Sequence, residues 1–259
     1  MKNKNNQCLG NFYVFCGGVI YLGSLAKQKF HSFHSIIILI GNKKPANLIT
    51  KNGTYQGYAL LMGPDVPHIG KDNEKEAIFI MLIPESVLGQ KLAKKNLKNK
   101  DVIPLKIKRD ISLYDNYFSD PSIKNVVKIY HSIINSLEIT DNMAIQKDDR
   151  IVKAVNFIRN LEVKKASTKE IAEHVGLSEG RLIHLFKEQI GIPIRRYLLW
   201  HRLIDATNAI RAGKSPTCAA HEAEFADYAH LSRCFTSTFG FPLSFAFKHF
   251  KIIDINPYI

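Results

Sequence analysis

Two stretches of this 259-residue chain repeat one pattern, so any fold must give both the same local structure. The first reads Ser178-x3-Leu182-x3-Phe186-x3-Ile190-Gly191-Ile192-Pro193. The second reads Asp227-x3-Leu231-x3-Phe235-x3-Phe239-Gly240-Phe241-Pro242, offset by 49 residues without a gap. The segments before them also correspond: Ile171-Ala172-x3-Gly176-Leu177 against Ala219-Ala220-x3-Glu224-Phe225, the second copy carrying one additional residue, Ala226. Leucine and phenylalanine four apart share one face of a helix. Ser178 and Asp227 are N-cap residues, and Gly191 and Gly240 suit a left-handed stop. The small Ala172 and Ala220 allow a preceding helix to approach closely. Each copy therefore predicts a short helix, a tight turn and a second helix, the helix-turn-helix plan whose second helix enters a DNA major groove.

The same punctuation orders the whole stretch from residue 148 as a succession of helices. Asp148 and Asp149 open the first, acids being favoured at a helix N-terminus. Ser167 and Glu170 form a capping box for the second, which Gly176 stops. Pro193 opens a long helix from Ile194 to about Arg211, closed by Gly213. Ser215-Pro216, Asp227 and Pro242 open the remaining three, the last running through Phe250. Upstream, to about residue 95, short β-rich runs (Phe12–Phe15, Ser35–Ile40, Tyr58–Met62, Ala77–Ile83) lie between turns and suggest a sandwich or barrel. From 91 to 147 the pattern is helical, with a lysine-rich opening from Lys91 to Lys100. Ile123, Val126, Val127, Tyr130, Ile133, Ile134 and Leu137 then form an apolar stripe, read equally as a dimer seam or as intramolecular core. The expected class is α+β: a β-rich domain over 1–95, a helical linker over 96–147 and an all-α domain over 148–259.

The net charge of +13 suggests a polyanionic partner, but it is split between residues 1–149 (+7) and 150–259 (+6), so charge alone points weakly to nucleic acid. The apolar runs, Ile36 to Ile40 among them, are strand-sized, and the basic N-terminus lacks a signal-peptide core. We read an intracellular, cytoplasmic chain with no membrane partner. Cys8, Cys16, Cys218 and Cys234 form no Cys-x-x-Cys pair and read as free thiols. No phosphate loop, nucleophile elbow or zinc-protease helix is present, and no cofactor is indicated.

At this point the C-terminal hundred residues resemble the AraC/XylS family of regulators. The resemblance is carried by Ile171-Ala172-Glu-His-Val-Gly176-Leu-Ser178, Leu182-x2-Leu185-Phe186-Lys187, Gly191-x-Pro193-x3-Tyr197, Leu231-Ser232-Arg233-x-Phe235 and Phe239-Gly240-x-Pro242. It implies a non-enzymatic, sequence-specific transcription regulator that reads two neighbouring major-groove segments. Base contacts are implied for Gly180, Arg181, His184, Tyr228, Ala229, His230 and Arg233, and phosphate contacts for Lys187, Arg195, Arg196, Ser232 and Thr236. Operator DNA is the implied partner, with RNA polymerase, a small-molecule effector and a second copy of the chain as further candidates. The chain departs from the family at Glu224, where glycine is usual and a positive φ is needed, and at Ala219, where a β-branched residue is common. Gly180 and Ala229 are short where many relatives carry a longer polar side chain.

In the first domain, Gly63-Pro-Asp-Val-Pro67-His68 resembles the glycine-proline-histidine turn of cupin barrels, and residues 19 to 92 resemble a short cupin-like sensor. His31, His34 and His68 are candidate ligand-binding residues. No carboxylate follows His34 at metal-site spacing, so they read as strand-edge and turn histidines ahead of an organic-ligand pocket, and a metal comes last. Two alternatives stand beside the regulator: a cupin-type metal enzyme with a helical accessory domain, and a nonspecific basic DNA-binding protein.

Overall fold

The computed structural model describes residues 9–15, 17–24, 29–70, 76–97, 100–139, 148–160 and 166–255, which divide into two compact units. The first unit comprises residues 1–144 and 239–259 and the second residues 145–238. In the first, eight strands precede the first helix: β1 (Gly10–Phe15), β2 (Gly18–Gly23), β3 (Ile36–Gly41), β4 (Ala46–Thr50), β5 (Gly53–Gly57), β6 (Ala59–Met62), β7 (His68–Gly70) and β8 (Ala77–Leu82). There follow α1 (Val87–Leu92), a π-helical turn (Ala93–Leu97), β9 (Val102–Pro104), α2 (Ile111–Ser119) and α3 (Ile123–Ser136). The second unit holds α4 (Asp149–Asn160), α5 (Thr168–His174), α6 (Glu179–Ile190), α7 (Ile194–Arg211), α8 (Pro216–Glu222) and α9 (Tyr228–Phe239). From Phe239 the chain is back in the first unit, with α10 (Leu243–His249) and β10 (Phe250–Asp254).

The first unit's strands form a seven-stranded sheet, ordered β10-β1-β2-β8-β3-β6-β9, and a three-stranded sheet, β5-β4-β7. Side chains alternate across the central strands. Ile36, Ile38 and Ile40 of β3 face one core with Ile20, Leu22, Ile78, Ile80 and Leu61. Ile37 and Leu39 face a second core with Ala46, Leu48, Leu60 and Met62. Both faces are covered, which explains why β3 is apolar at every position instead of alternating. The β-rich class is as the sequence suggested, but the sheets do not close into a barrel. Among the described residues, β9 and β10 end the large sheet, and β5, β4 and β7 form the small one, to which His31 adds an isolated bridge at His68.

The described part of 96–147, expected as a helical linker, belongs to the first core. Tyr114 and Tyr117 of α2 and Val126, Ile129, Tyr130 and Ile133 of α3 are buried against the sheet. The α3 stripe is therefore intramolecular core. Lys95, from the lysine-rich stretch, donates to the carbonyls of Leu137 (3.1 Å) and Glu138 (2.8 Å), placing a cation where the α3 dipole is negative.

The C-terminal helix was expected to run through Phe250. Instead α10 stops at His249, and Phe250 opens β10, which lies parallel to β1 from Gly10↔Phe250 to Val14↔Asp254. The Ile255 N–H extends the ladder by donating to the Val14 carbonyl at 2.9 Å. Phe250 packs edge-on against Phe12 (5.2 Å between centroids) and Tyr21 (5.7 Å), burying aromatic surface that β1 and β2 present on that face.

Candidate nucleic-acid interface

The two repeat copies close their turns with the same pair of backbone hydrogen bonds. In the first, the Leu177 N–H donates to the Ala172 carbonyl at 2.9 Å and the Gly176 N–H to Glu173 at 3.2 Å. In the second, Phe225 donates to Ala220 at 2.9 Å and Glu224 to His221 at 3.1 Å. This is the Schellman arrangement, which needs a left-handed residue. Gly176 supplies it at φ 69°, and Glu224 adopts it at φ 62° despite its side chain. Caps then start each second helix: Ser178 accepts from the Arg181 N–H at 3.3 Å, and Asp227 from the His230 N–H at 2.6 Å. The expected capping box is formed as well, Ser167 and Glu170 each accepting from the other's N–H at α5.

Inward positions fix the orientation of both reading helices. In α6, Leu182, Leu185, Phe186 and Ile190 are buried with Ile171, Ala172 and Val175 and with Ile151, Ala154 and Ile158 of α4. Phe186 meets Tyr197 of α7 at 5.3 Å, tying the first head to the connecting helix. In α9, Leu231 and Phe235 are buried, as are Ala219, Ala220 and Phe225. The second head meets α7 through a residue that sequence patterning missed. Arg202 donates from Nε to the Ala223 carbonyl at 2.9 Å and lays its guanidinium 4.6 Å above the Phe225 ring. Its partner carbonyl lies 21 residues further along the chain, and no local pattern announces such a contact.

The sequence-derived contact residues divide by environment. Gly180, Arg181, His184 and Lys187 of α6, Arg195 and Arg196 at the start of α7, and Ala229 and Arg233 of α9 are exposed. Tyr228, His230, Ser232 and Thr236 are half-buried. Two of these already use polar atoms internally. The Thr236 hydroxyl donates to the Ser232 carbonyl at 2.8 Å, so its one proton is engaged. His230 Nδ1 accepts from the Ala226 N–H at 3.3 Å. Near the first head, Arg150 forks onto Asp148 and holds that carboxyl down at about 2, with the Arg181 charge contributing less. Cys218 is exposed and Cys234 half-buried, both free; Cys8 and Cys16 lie outside the described residues.

Of the three candidate ligand-binding histidines, His31 and His68 come together and His34 does not join them. His31 and His68 pair through their backbones (3.1 and 2.9 Å), and their rings lie 4.4 Å apart. Each shares a hydrogen bond between Nδ1 and a nearby backbone carbonyl, Lys29 for His31 and Val66 for His68, at 2.8 Å. Burial lowers both pKa values, that of His68 to about 3 with the His31 charge adding to the shift. His34 stands apart between Asp65 (Nδ1 to Oδ2, 3.5 Å) and Glu85 (Nε2 to Oε2, 3.6 Å). The carboxylates missing from the sequence after His34 thus come from two later turns and flank the ring on opposite nitrogens. Burial opposes its charge, yet the hydrogen bonding and charge of Asp65 and Glu85 prevail and raise its pKa. Among the described residues, no group of three or more His, Cys, Asp or Glu side chains could hold a metal ion. No described helix is long and apolar enough to cross a membrane.

Residues 171–248 match the family model described as "Helix-turn-helix domain". Among solved structures, an apo lysine-to-alanine variant of ToxT from Vibrio cholerae strain SCE256 is similar at 18% identity, covering 90% of this chain and 98% of that one with a TM-score of 0.59. ToxT from Vibrio cholerae O395 bound to (E)-4-(8-methylnaphthalen-1-yl)but-3-enoic acid is similar at 16% identity, with 92% and 98% covered and a TM-score of 0.53. No curated protein matches. Two helix-turn-helix units carried by one connecting helix, beside a β-rich unit, define a DNA-binding transcription regulator. The matched helix-turn-helix domain spans both repeat copies, from Ile171 in α5 to Lys248 in α10.

Proposed function

We propose that α6 and α9 read two adjacent major-groove segments of an operator, and that the first unit governs this binding in response to a small effector. The observation that carries the reading is the duplicated turn, cap and inward seam. It leaves Arg181 and His184 outward on α6, and Arg233 outward on α9. Arginine pairs with guanine O6 and N7 in a geometry no other base offers. Lys187, Arg195 and Arg196 then serve as phosphate contacts that set affinity and register. With the heads about one helical turn (roughly 34 Å) apart, Arg181→Ala and Arg233→Ala alter preference at separate base clusters. Each costs about 1–3 kcal/mol on the operator. Selection of bound sequences from a randomised DNA pool by the wild type and both variants is the test. Unchanged preference at every position would overturn the assignment of α6 and α9.

The effector reading draws on the solved ToxT complex with a naphthyl-butenoic acid, an apolar carboxylic acid. In this chain's first unit Phe12, Tyr21, Phe79 and Phe250 pack ring against ring, apolar aromatic surface of the kind that such an acid would be recognised by. Melting curves of the full chain against a panel of aromatic and aliphatic acids check this, a concentration-dependent rise in Tm being expected.

A further inference from the structure

The second copy of the repeat differs from the first by the insertion of Ala226 and by a histidine, His230, where the first copy has Arg181. The structure joins these two differences. The backbone N–H that the insertion adds is the one His230 takes up, at Nδ1, 3.3 Å away. The same histidine has its own N–H fixed by the Asp227 carboxylate at 2.6 Å. Its ring stands at 80° to Phe225, centroids 5.4 Å apart, and Arg202 of α7 lies over the same Phe225 ring. Backbone and side chain are thus both held, and the ring is half-buried.

We infer that His230 is the positioning residue of the second reading helix and that it meets DNA only as a hydrogen-bond donor, through Nε2. A neutral imidazole carries one proton, and when Nδ1 accepts, that proton is on Nε2. In the major groove such a donor is accepted by purine N7, guanine O6 or thymine O4, whereas cytosine presents the N4 amine, itself a donor. The second head therefore discriminates against cytosine at the base facing His230. The first head, with no inserted residue and Arg181 at the equivalent place, presents a two-pronged fork there instead. This inference rests on the proposal that α9 enters the groove; the tautomer does not.

Two measurements on the full chain test it. A long-range 15N–1H spectrum at pH 8, with His230 assigned from its loss in His230→Gln, is expected to show an unprotonated Nδ1 and a protonated Nε2. A protonated Nδ1, or a tautomeric average, overturns the positioning role. The second measurement is selection from a randomised operator pool with His230→Asn, which keeps an acceptor near the Nδ1 position and removes the ring donor. Its melting is expected to match wild type while discrimination against cytosine at one base falls by about five- to tenfold, the lower end of what a specific base contact supplies. If His230→Asn leaves base preference unchanged while Arg233→Ala alters it, the donor role is overturned and α9 still reads DNA. If neither variant changes any position, α9 does not read DNA, and both this inference and the function proposed above fall.

Discussion

Glu224 occupies a backbone conformation that the first copy of the repeat gives to glycine. At φ 62° its Cβ crowds the backbone, a strain Gly176 escapes at φ 69°. Glu224→Gly should stabilise the chain by about 0.5–1 kcal/mol, read from thermal melts; a lower Tm would show that contacts of the Glu224 side chain outweigh the strain. His34 gives a second prediction, with a sign fixed by linkage. Its folded pKa lies above the ordinary value, so its pairing with Asp65 and Glu85 stabilises fully below the unfolded pKa, about 6.5, and is lost as pH rises through the raised folded value. The stability gap between wild type and His34→Gln should therefore shrink between pH 6 and pH 9 in denaturant titrations. A gap that widens with pH would show that His34 is held neutral. The position of the Glu224 strain was legible in the sequence, because the repeat aligns it with Gly176. The surroundings of His34 were not, because Asp65 and Glu85 are 31 and 51 residues away.

Helices were the legible elements because their ends are written locally. Ser167, Ser178, Ser215 and Asp227 cap where the residue types suggested, and Gly191 closes α6 at φ 92°. β10 was illegible because its partner, β1, lies some 240 residues upstream and supplies the reason Phe250–Asp254 is extended. The same contrast of local and tertiary causes separates neighbours on α6. Phe186 is fully buried between α5 and α7, so Phe186→Ala should cost about 3–5 kcal/mol of stability. Lys187, the next residue, is exposed. Lys187→Ala should leave the melt in place, weaken all DNA sequences alike and lower the slope of log K against log salt by about one. A melt shifted equally by both would mean that Lys187 also serves the fold, and an unchanged slope that it does not meet a phosphate.

The whole molecule is threaded so that its DNA-reading unit is inserted in the other unit, which the chain leaves near residue 144 and re-enters at 239. A fragment ending at residue 147 lacks β10 and leaves the β1 edge and the Phe12–Tyr21 surface open to water. Fragments 1–147 and 148–259 should consequently associate when mixed, the second supplying the missing strand. Removing 250–259 should abolish the complex while the helical fragment still folds and binds DNA. Fragments that stay apart in sedimentation would show that the ladder between β1 and β10 is too weak to hold without the covalent chain. The sequence offered a boundary at 148 because capped helices begin there; nothing near Pro242 announced that the final segment joins a sheet begun at residue 10.

This threading also decides what proteolysis can release. Where two domains follow one another along a chain, one cut in the connector separates them. Here a single nick anywhere between residues 139 and 148 leaves the reading unit fastened through β10, whose ladder with β1 must also melt before the two can part. Separation takes a second event, either melting of that ladder or a further cut ahead of residue 250, and a protease that cuts only between 139 and 148 would produce a nicked molecule that still travels as one particle.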